Sequence, residues 1–348
     1  MDLAADQLAA HLAELPNVEA VLARYRLRTA RHAQQPTALG RALGRFVQLP
    51  CQLAPLRWAA DYFHIADHSY AHLALLFPRE RVGVFCHDID AFRALLPGAN
   101  VPYSRVLLSR VLLRGMQHAQ VVFHTTQAVR EEILLHGLVP ASRLVQAPLG
   151  LADEYLQVRP GPAASDPYLL HVSSCIPRKN VDFLLRVFCE ARTLDSALRL
   201  VQIGGQWTDA QQAYLDREGL GPYVEQKRGL PRRELAQIYA RASAVMVPSL
   251  AEGFGLPVIE ALACGAPVVA SDIPVLREVG GDGVRFCSAT DRAQWVQAIR
   301  EVLCNRTRVE ESTRSRILER YSWRAHAATI AEAYTARGGR GSEATATS

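Results

Sequence analysis

The sequence has no run of about 18 apolar residues, so no helix that spans a membrane is expected. Its seven cysteines are scattered without a C-x-x-C pair. Reduced thiols of a cytoplasmic protein account for them, and a disulfide framework is not expected. The first residues do not read as a secretory signal. Neither sign of charge dominates: the net charge is only +5. That mild excess suits anionic small molecules or an acidic lipid surface and lacks the dense basic patch of a nucleic-acid binder. What the chain does have is apolar residues, 49% of 348, enough for large cores in two domains of ordinary size.

The most informative stretch is 245–282, VMVPSLAEGFGLPVIEALACGAPVVASDIPVLREVGGD. Val245, Met246 and Val247 form a short apolar run that predicts a buried parallel strand, ended by Pro248 and Ser249. Gly253 and Gly255 predict a turn. Pro257 suits the first position of a helix over 258–264, where its missing N–H costs nothing. Gly265 and Pro267 stop that helix, and Val268 to Ala270 return to a strand. The backbone N–H groups around Phe254, Gly255 and Leu256 then point out of a helix start, where phosphate binds. Glu252 in the loop and Glu260 one turn inside the helix can face the same mouth. Carboxylates beside a phosphate site need other partners, and sugar hydroxyls supply them. The plainer alternative is that both are solvated residues stabilising the helix start.

EGFGLPVIEALACGAPVVASD resembles the donor-site signature of the retaining family-4 glycosyltransferases, which have the GT-B fold. The family's Glu-x7-Glu pair corresponds to Glu252 and Glu260. The resemblance implies an α/β chain of two doubly wound, Rossmann-like parallel-sheet domains facing a cleft. Relatives begin with a strand and a glycine-rich turn that approaches the donor phosphates. Here both are missing, and Met1 opens on a helical pattern through Leu3, Leu8, Leu12 and Leu15.

In chain order, Val18 to Leu22 is a candidate strand and 24–56 is basic and helical in composition. Strands are predicted at 61–66, 82–86, 121–123 and 144–147, with helices at 103–118 and 127–136. The expected boundaries are an acceptor-side domain at 1–158, a proline-rich linker at 159–167 and a donor domain at 168–321. A last helix at 322–336 is expected to cross back to the first domain, followed by a disordered tail at 337–348. In the second domain, strands are expected at 168–172, 198–203 and 223–226, and helices at 180–192, 209–218, 232–241 and 291–303. Strands alternating with helices predict parallel sheets, with ligands at their carboxyl ends.

Arg178 and Lys179 fall between a strand and a helix expected to be capped by Asn180. Two cations there oppose the helix dipole unless an anion lies between them. The matching pair in the family binds the donor diphosphate. Ser173 and Ser174 add candidate hydrogen bonds to it, and Gly204-Gly205 a close backbone approach to the nucleotide or a simple turn. Arg228-Gly229-Leu230 lies where relatives hold the base. His87, after a buried strand, has a family counterpart near the transferred sugar.

Asp88-Ile89-Asp90 is a D-x-D triplet, which binds metal in the unrelated GT-A transferases; Asp90 is read as structural or exposed. His64, His68 and His72 recur at four-residue spacing, but no acidic or cysteine partner is spaced to complete a zinc site. His68 and Ser69 are an alternative acceptor-side lining. Helix 103–118, with Arg105, Arg110 and Arg114, is read as core-facing with snorkelling arginines, or as touching anionic lipid.

The resemblance implies a hexosyltransferase, mannosyl- or glucosyl-, moving sugar from a GDP- or UDP-sugar to a glycan or lipid-linked acceptor with retention. The implied catalytic residues are Glu252, His87, Arg178 and Lys179. The implied donor-binding residues are Arg178, Lys179, Phe254, Gly255, Leu256, Glu260, Gly204 and Ser173. No metal or other cofactor and no nucleic-acid partner are expected. The protein is expected in the cytoplasm, with peripheral contact with the inner membrane surface left open. The alternatives are a nucleotide-sugar-binding protein without transferase activity and a GT-B epimerase.

Overall fold

A computed structural model describes residues 2–23, 38–306 and 308–338. They divide into two compact units, Met1–Pro148 with Trp323–Ser348, and Leu149–Ser322.

The first unit opens with α1 (Asp2–Ala13). The expected strand at Val18 to Leu22 is irregular chain, and residues 24–37 lie outside the described residues. α2 (Ala38–Leu43), a π turn and α3 (Leu49–Leu53) follow, then a 3-10 turn at Ala54–Trp58 with Pro55 as its second residue. The sheet is β1 (Phe63–Ile65), β2 (Val82–Cys86), β3 (Val121–His124) and β4 (Leu144–Gln146), parallel and in that order. β2 and β3 are buried along their whole length, as their unbroken apolar runs require when both sheet faces are covered. A 3-10 segment, His68–Leu76, packs beside α4 (Tyr103–His118). Gly115 permits that contact, because a Cβ there would lie 2.0 Å from the Ala71 carbonyl oxygen. α4 buries Ser109, Leu112, Gly115 and Met116 and leaves Arg105, Arg110 and Arg114 exposed. α5 (Gln127–Leu135) is capped by Thr126, whose hydroxyl accepts from the Val129 N–H.

The second unit contains α6 (Asp153–Leu156), β5 (Tyr168–Ser173), α7 (Val181–Ala191), β6 (Arg199–Gly204), α8 (Asp209–Arg217), β7 (Val224–Lys227) and α9 (Arg232–Arg241). It continues with β8 (Ala244–Val247), α10 (Leu256–Ala263), β9 (Val268–Ser271), α11 (Pro274–Gly280), β10 (Val284–Cys287), α12 (Arg292–Asn305) and α13 (Glu311–Arg320). Its six strands are parallel in the order β10-β9-β8-β5-β6-β7. Thr208 and Gln211 form a capping box at the start of α8. Phe188, Leu200, Met246, Trp295 and Ile299 belong to one core cluster, and the Trp295 indole N–H donates to the Ser288 carbonyl at 2.9 Å.

A bridge from Leu151 to Ser322 closes the second unit on itself. α14 (Trp323–Gly338) belongs to the first, where the Tyr334 hydroxyl donates to the Phe63 carbonyl. The expected tail lies outside the described residues from 339 onward.

Candidate functional site

The strand order of the larger sheet reverses between β5 and β8. In an open parallel sheet such a reversal leaves a crevice beyond the carboxyl ends of the two strands. The ladder between them pairs Leu169 with Ala244 and Leu170 with Val245. One residue on, a side chain continues the contact: His171 Nδ1 donates to the Met246 carbonyl at 2.8 Å. With Nδ1 protonated, Nε2 accepts the Ser173 hydroxyl at 2.8 Å. Burial, with the Lys179 charge nearby, lowers the His171 pKa to about 4, so the ring is neutral near pH 7. The single Ser173 proton is committed to His171 or to the Ser174 carbonyl, so Ser173 is not a free donor to phosphate.

Arg178 and Lys179 occupy the 3-10 turn Pro177–Lys179 after β5. Asn180 then adopts φ +55°, a left-handed conformation that asparagine tolerates better than most residues. It does not cap α7 through its side chain, as the sequence suggests; Nδ2 donates instead to the Ala289 carbonyl at 3.1 Å.

The loop after β8 brings in Glu252. Its Oε1 accepts from Lys179 Nζ at 2.5 Å and from Ser249 Oγ at 2.7 Å, and its Oε2 lies 3.6 Å from Arg178 Nη1. Arg178 also donates to the Ala251 carbonyl at 3.2 Å, while the Leu250 N–H donates to the Arg178 carbonyl at 2.8 Å. The side chains of Lys179 and Glu252 are 11% and 6% exposed, that of Arg178 35%. Glu252 therefore relieves the conflict of two cations ahead of α7. Two cations against one carboxylate leave the group net positive.

Gly255 precedes α10 with φ +92°, and a Cβ there would also lie 2.7 Å from Leu276 Cδ2. Leu256 is the first helical residue and Pro257 the second, one place later than expected. Phe254 is buried edge-on to Tyr321, ring centroids 5.5 Å apart. Among the described residues, the N–H groups of Phe254, Gly255 and Leu256 have no protein acceptor. Such a helix start suits an anion. Gly204 and Gly205 end β6 against the chain after β5. Added Cβ atoms would lie 2.8 Å from the Ser173 carbonyl oxygen and 2.3 Å from the Cys175 nitrogen. Packing alone requires both glycines.

The profile of the family Glycosyl transferases group 1 matches residues 156–320. The match covers most of the second unit. The O-antigen chain mannosyltransferase B of Escherichia coli is 28% identical over 242 residues, 65% of this chain and 61% of that protein. The D-inositol 3-phosphate glycosyltransferase of Nocardia farcinica is 29% identical over 329 residues, 83% of this chain and 70% of that protein. The chain spans 61%, 38% and 52% of the lengths of three mannosyltransferases it matches. The solved sucrose-phosphate synthase of Thermosynechococcus elongatus superposes with a TM-score of 0.75 at 20% identity, over 97% of this chain and 94% of that one. That likeness identifies the fold as GT-B.

In this chain Glu260 pairs apart from the Arg178–Lys179–Glu252 group. Its Oε2 accepts the Tyr239 hydroxyl at 2.9 Å, and the Tyr155 ring lies edge-on to that of Tyr239. Burial raises the Glu260 pKa to about 7, while the hydroxyls of Tyr239 and Tyr155 and the Arg232 charge oppose the rise.

In the first unit, His87 Nε2 meets the Ala66 carbonyl at 3.0 Å, and burial lowers the His87 pKa. The His87 N–H donates to His68 Nδ1 at 3.2 Å, and His68 Nε2 lies 3.5 Å from Asp88 Oδ1. The three histidines at four-residue spacing do not share a helix face. His64 lies on β1 with Nδ1 at the Tyr334 hydroxyl, His68 opens the 3-10 segment, and His72 Nε2 meets the Arg45 carbonyl. Asp90 is exposed and paired with Arg93 at 2.7 Å. Among the described residues no cluster of His, Cys, Asp or Glu could hold a metal ion. No described helix is long and apolar enough to cross a membrane.

Sequence reasoning missed His171, Ser249, Tyr155 and Tyr239. Tyr239 falls on a stripe with Ala236 and Ala240, which reads as plain core. Ser249 reads as a strand terminator.

Proposed function

We propose that the protein transfers a hexose, mannose or glucose, from a nucleotide-diphospho-sugar to a hydroxyl of a glycan or lipid-linked acceptor, with retention of configuration. The observation that carries this reading is the Arg178–Lys179–Glu252–Ser249 group where β5 and β8 part, beside the open amides of 254–256. The names of the relatives, mannosyltransferases and an inositol-phosphate glycosyltransferase, support the donor and acceptor classes.

Arg178, Lys179 and the amides of Phe254, Gly255 and Leu256 hold the diphosphate. Glu252 accepts from hydroxyls of the hexose, and Glu260 from the ribose diol. The acceptor oxygen attacks the anomeric carbon from the face the diphosphate leaves. The new C–O bond forms as the bond to the phosphate oxygen breaks, and the acceptor proton passes to that oxygen. Catalysis then rests on positioning and on stabilising the charge of the leaving group. His87, on the first unit, is assigned to the acceptor. The exposed arginines of α4 favour an acceptor held at an anionic membrane surface.

Incubation of the purified protein with radiolabelled GDP-mannose, UDP-glucose and their relatives, with and without lipid-linked glycan acceptors, tests this. Transfer of label to an acceptor is the expected result. Binding without transfer or hydrolysis identifies a binding protein, and acceptor-free conversion of the donor to its epimer identifies an epimerase.

A further inference from the structure

Tyr155 and Tyr239 come from different helices, α6 and α9, and converge on Glu260 of α10. Both tyrosines are almost completely buried, at 3% and 0% exposure. Their rings meet edge to face with centroids 6.0 Å apart, so each fixes the other's plane. Glu260 itself is only partly buried, and its carboxylate is held on one side by the Tyr239 hydroxyl.

An ionised carboxylate offers about four acceptor sites on its two oxygens. The Tyr239 hydroxyl occupies one of them, with Tyr155 packed beside it, and at least two remain for a ligand. A diol donates two hydrogen bonds and can use them. Both phenol hydroxyls also favour the charged form, which opposes the effect of burial and keeps a population ionised at neutral pH.

We propose that Tyr155 and Tyr239 are positioning residues for nucleotide selection: they lock the Glu260 carboxylate so that it accepts from both hydroxyls of a ribose and discriminates against 2′-deoxyribose. This rests on the reading of Glu260 as the ribose acceptor. The bland alternative is a buried polar tie between three helices with no effect on ligand choice.

The test measures dissociation constants of the purified full chain by calorimetry for UDP and GDP and for their 2′-deoxy counterparts. The wild type is expected to prefer the better-binding ribonucleotide over its deoxy form by at least about tenfold, the scale of one charge-assisted hydrogen bond. Tyr155→Phe and Tyr239→Phe are each expected to cut that ratio about threefold, and together to bring it close to one. Glu260→Gln is expected to do the same. Circular dichroism confirms the fold of each variant, and the milder Tyr155→Phe keeps the test available should Tyr239→Phe unfold. A ratio that collapses in Glu260→Gln but is unchanged in the folded tyrosine variants overturns the proposal and leaves the Glu260 reading intact. A ratio near one in the wild type, no binding of either nucleotide, or a ratio unchanged by Glu260→Gln overturns both.

Discussion

Glu252 is the residue on which the proposed donor site turns, because it partners both Arg178 and Lys179. In that proposal its charge competes with phosphate for the two cations, and its oxygens accept from the sugar. Glu252→Gln separates these effects. The variant is expected to bind free UDP or GDP several-fold more tightly, since the carboxylate charge that competes for both cations is removed. Its transfer rate is expected to fall at least tenfold, because the hexose loses an ionised acceptor. Calorimetry and initial rates check the two halves; weaker nucleotide binding with unchanged transfer contradicts the assignment. Ser249, 1% exposed, has Glu252 as its hydrogen-bond partner. Ser249→Ala is expected to destabilise the second unit by about 1.5–3 kcal/mol in urea titrations, the worth of a hydrogen bond to a charged group.

At the scale of elements, α4 depends on Gly115. A methyl group there would collide with the Ala71 carbonyl, a backbone atom that no side-chain rotation can clear. Gly115→Ala is expected to cost about 1–3 kcal/mol of overpacking in spite of the better helix propensity of alanine, read as a fall in the first unit's urea midpoint. The elements the sequence made legible are those whose signal is local. β8, the glycine turn and α10 follow from Val245–Val247, Gly255 and Pro257, and the apolar runs of β2, β3 and β9 are equally plain. The stretch 44–58 was not legible, because its π and 3-10 turns answer to packing rather than to periodicity. Asn180 was placed correctly but given the wrong partner, since the Ala289 carbonyl it meets is 109 residues away. The cluster of Arg178, Lys179 and Glu252 was legible through motifs. His171, Ser249 and the two tyrosines were not, because their roles exist only once β5, β8 and α9 are side by side.

For the whole molecule, the buried titratable groups make the two units respond differently to acid. In the first unit, burial lowers His64 to about 3 and His326 to about 4, from an ordinary 6.5. The fold keeps both neutral, whereas the unfolded chain protonates them below about 6.5, so the unfolded state binds more protons and stability falls as pH falls. Between about pH 6 and 4 the two contribute up to about 2.7 kcal/mol per pH unit. His72 and His87 shift in the same direction. In the second unit His171 acts likewise, but Glu260, raised from 4.5 to about 7, acts oppositely. The fold retains that proton through a range in which the unfolded chain has released it, so the two offset each other between about pH 4.5 and 6.5. Hydrogen exchange, corrected for the intrinsic rate, is expected to show the first unit losing protection before the second as pH drops from 6.5 to 4.5. Loss in the reverse order contradicts these environments.

The central claim is that a diphosphate is held where β5 and β8 part. Calorimetric titration of the wild type and Lys179→Met with UDP and GDP, each against its nucleoside monophosphate, tests it most directly. The account predicts that one diphosphate binds the wild type at least about tenfold more tightly than its monophosphate, and that Lys179→Met removes most of this difference. Equal affinity for mono- and diphosphate in the wild type, or a difference that survives in Lys179→Met, would contradict it.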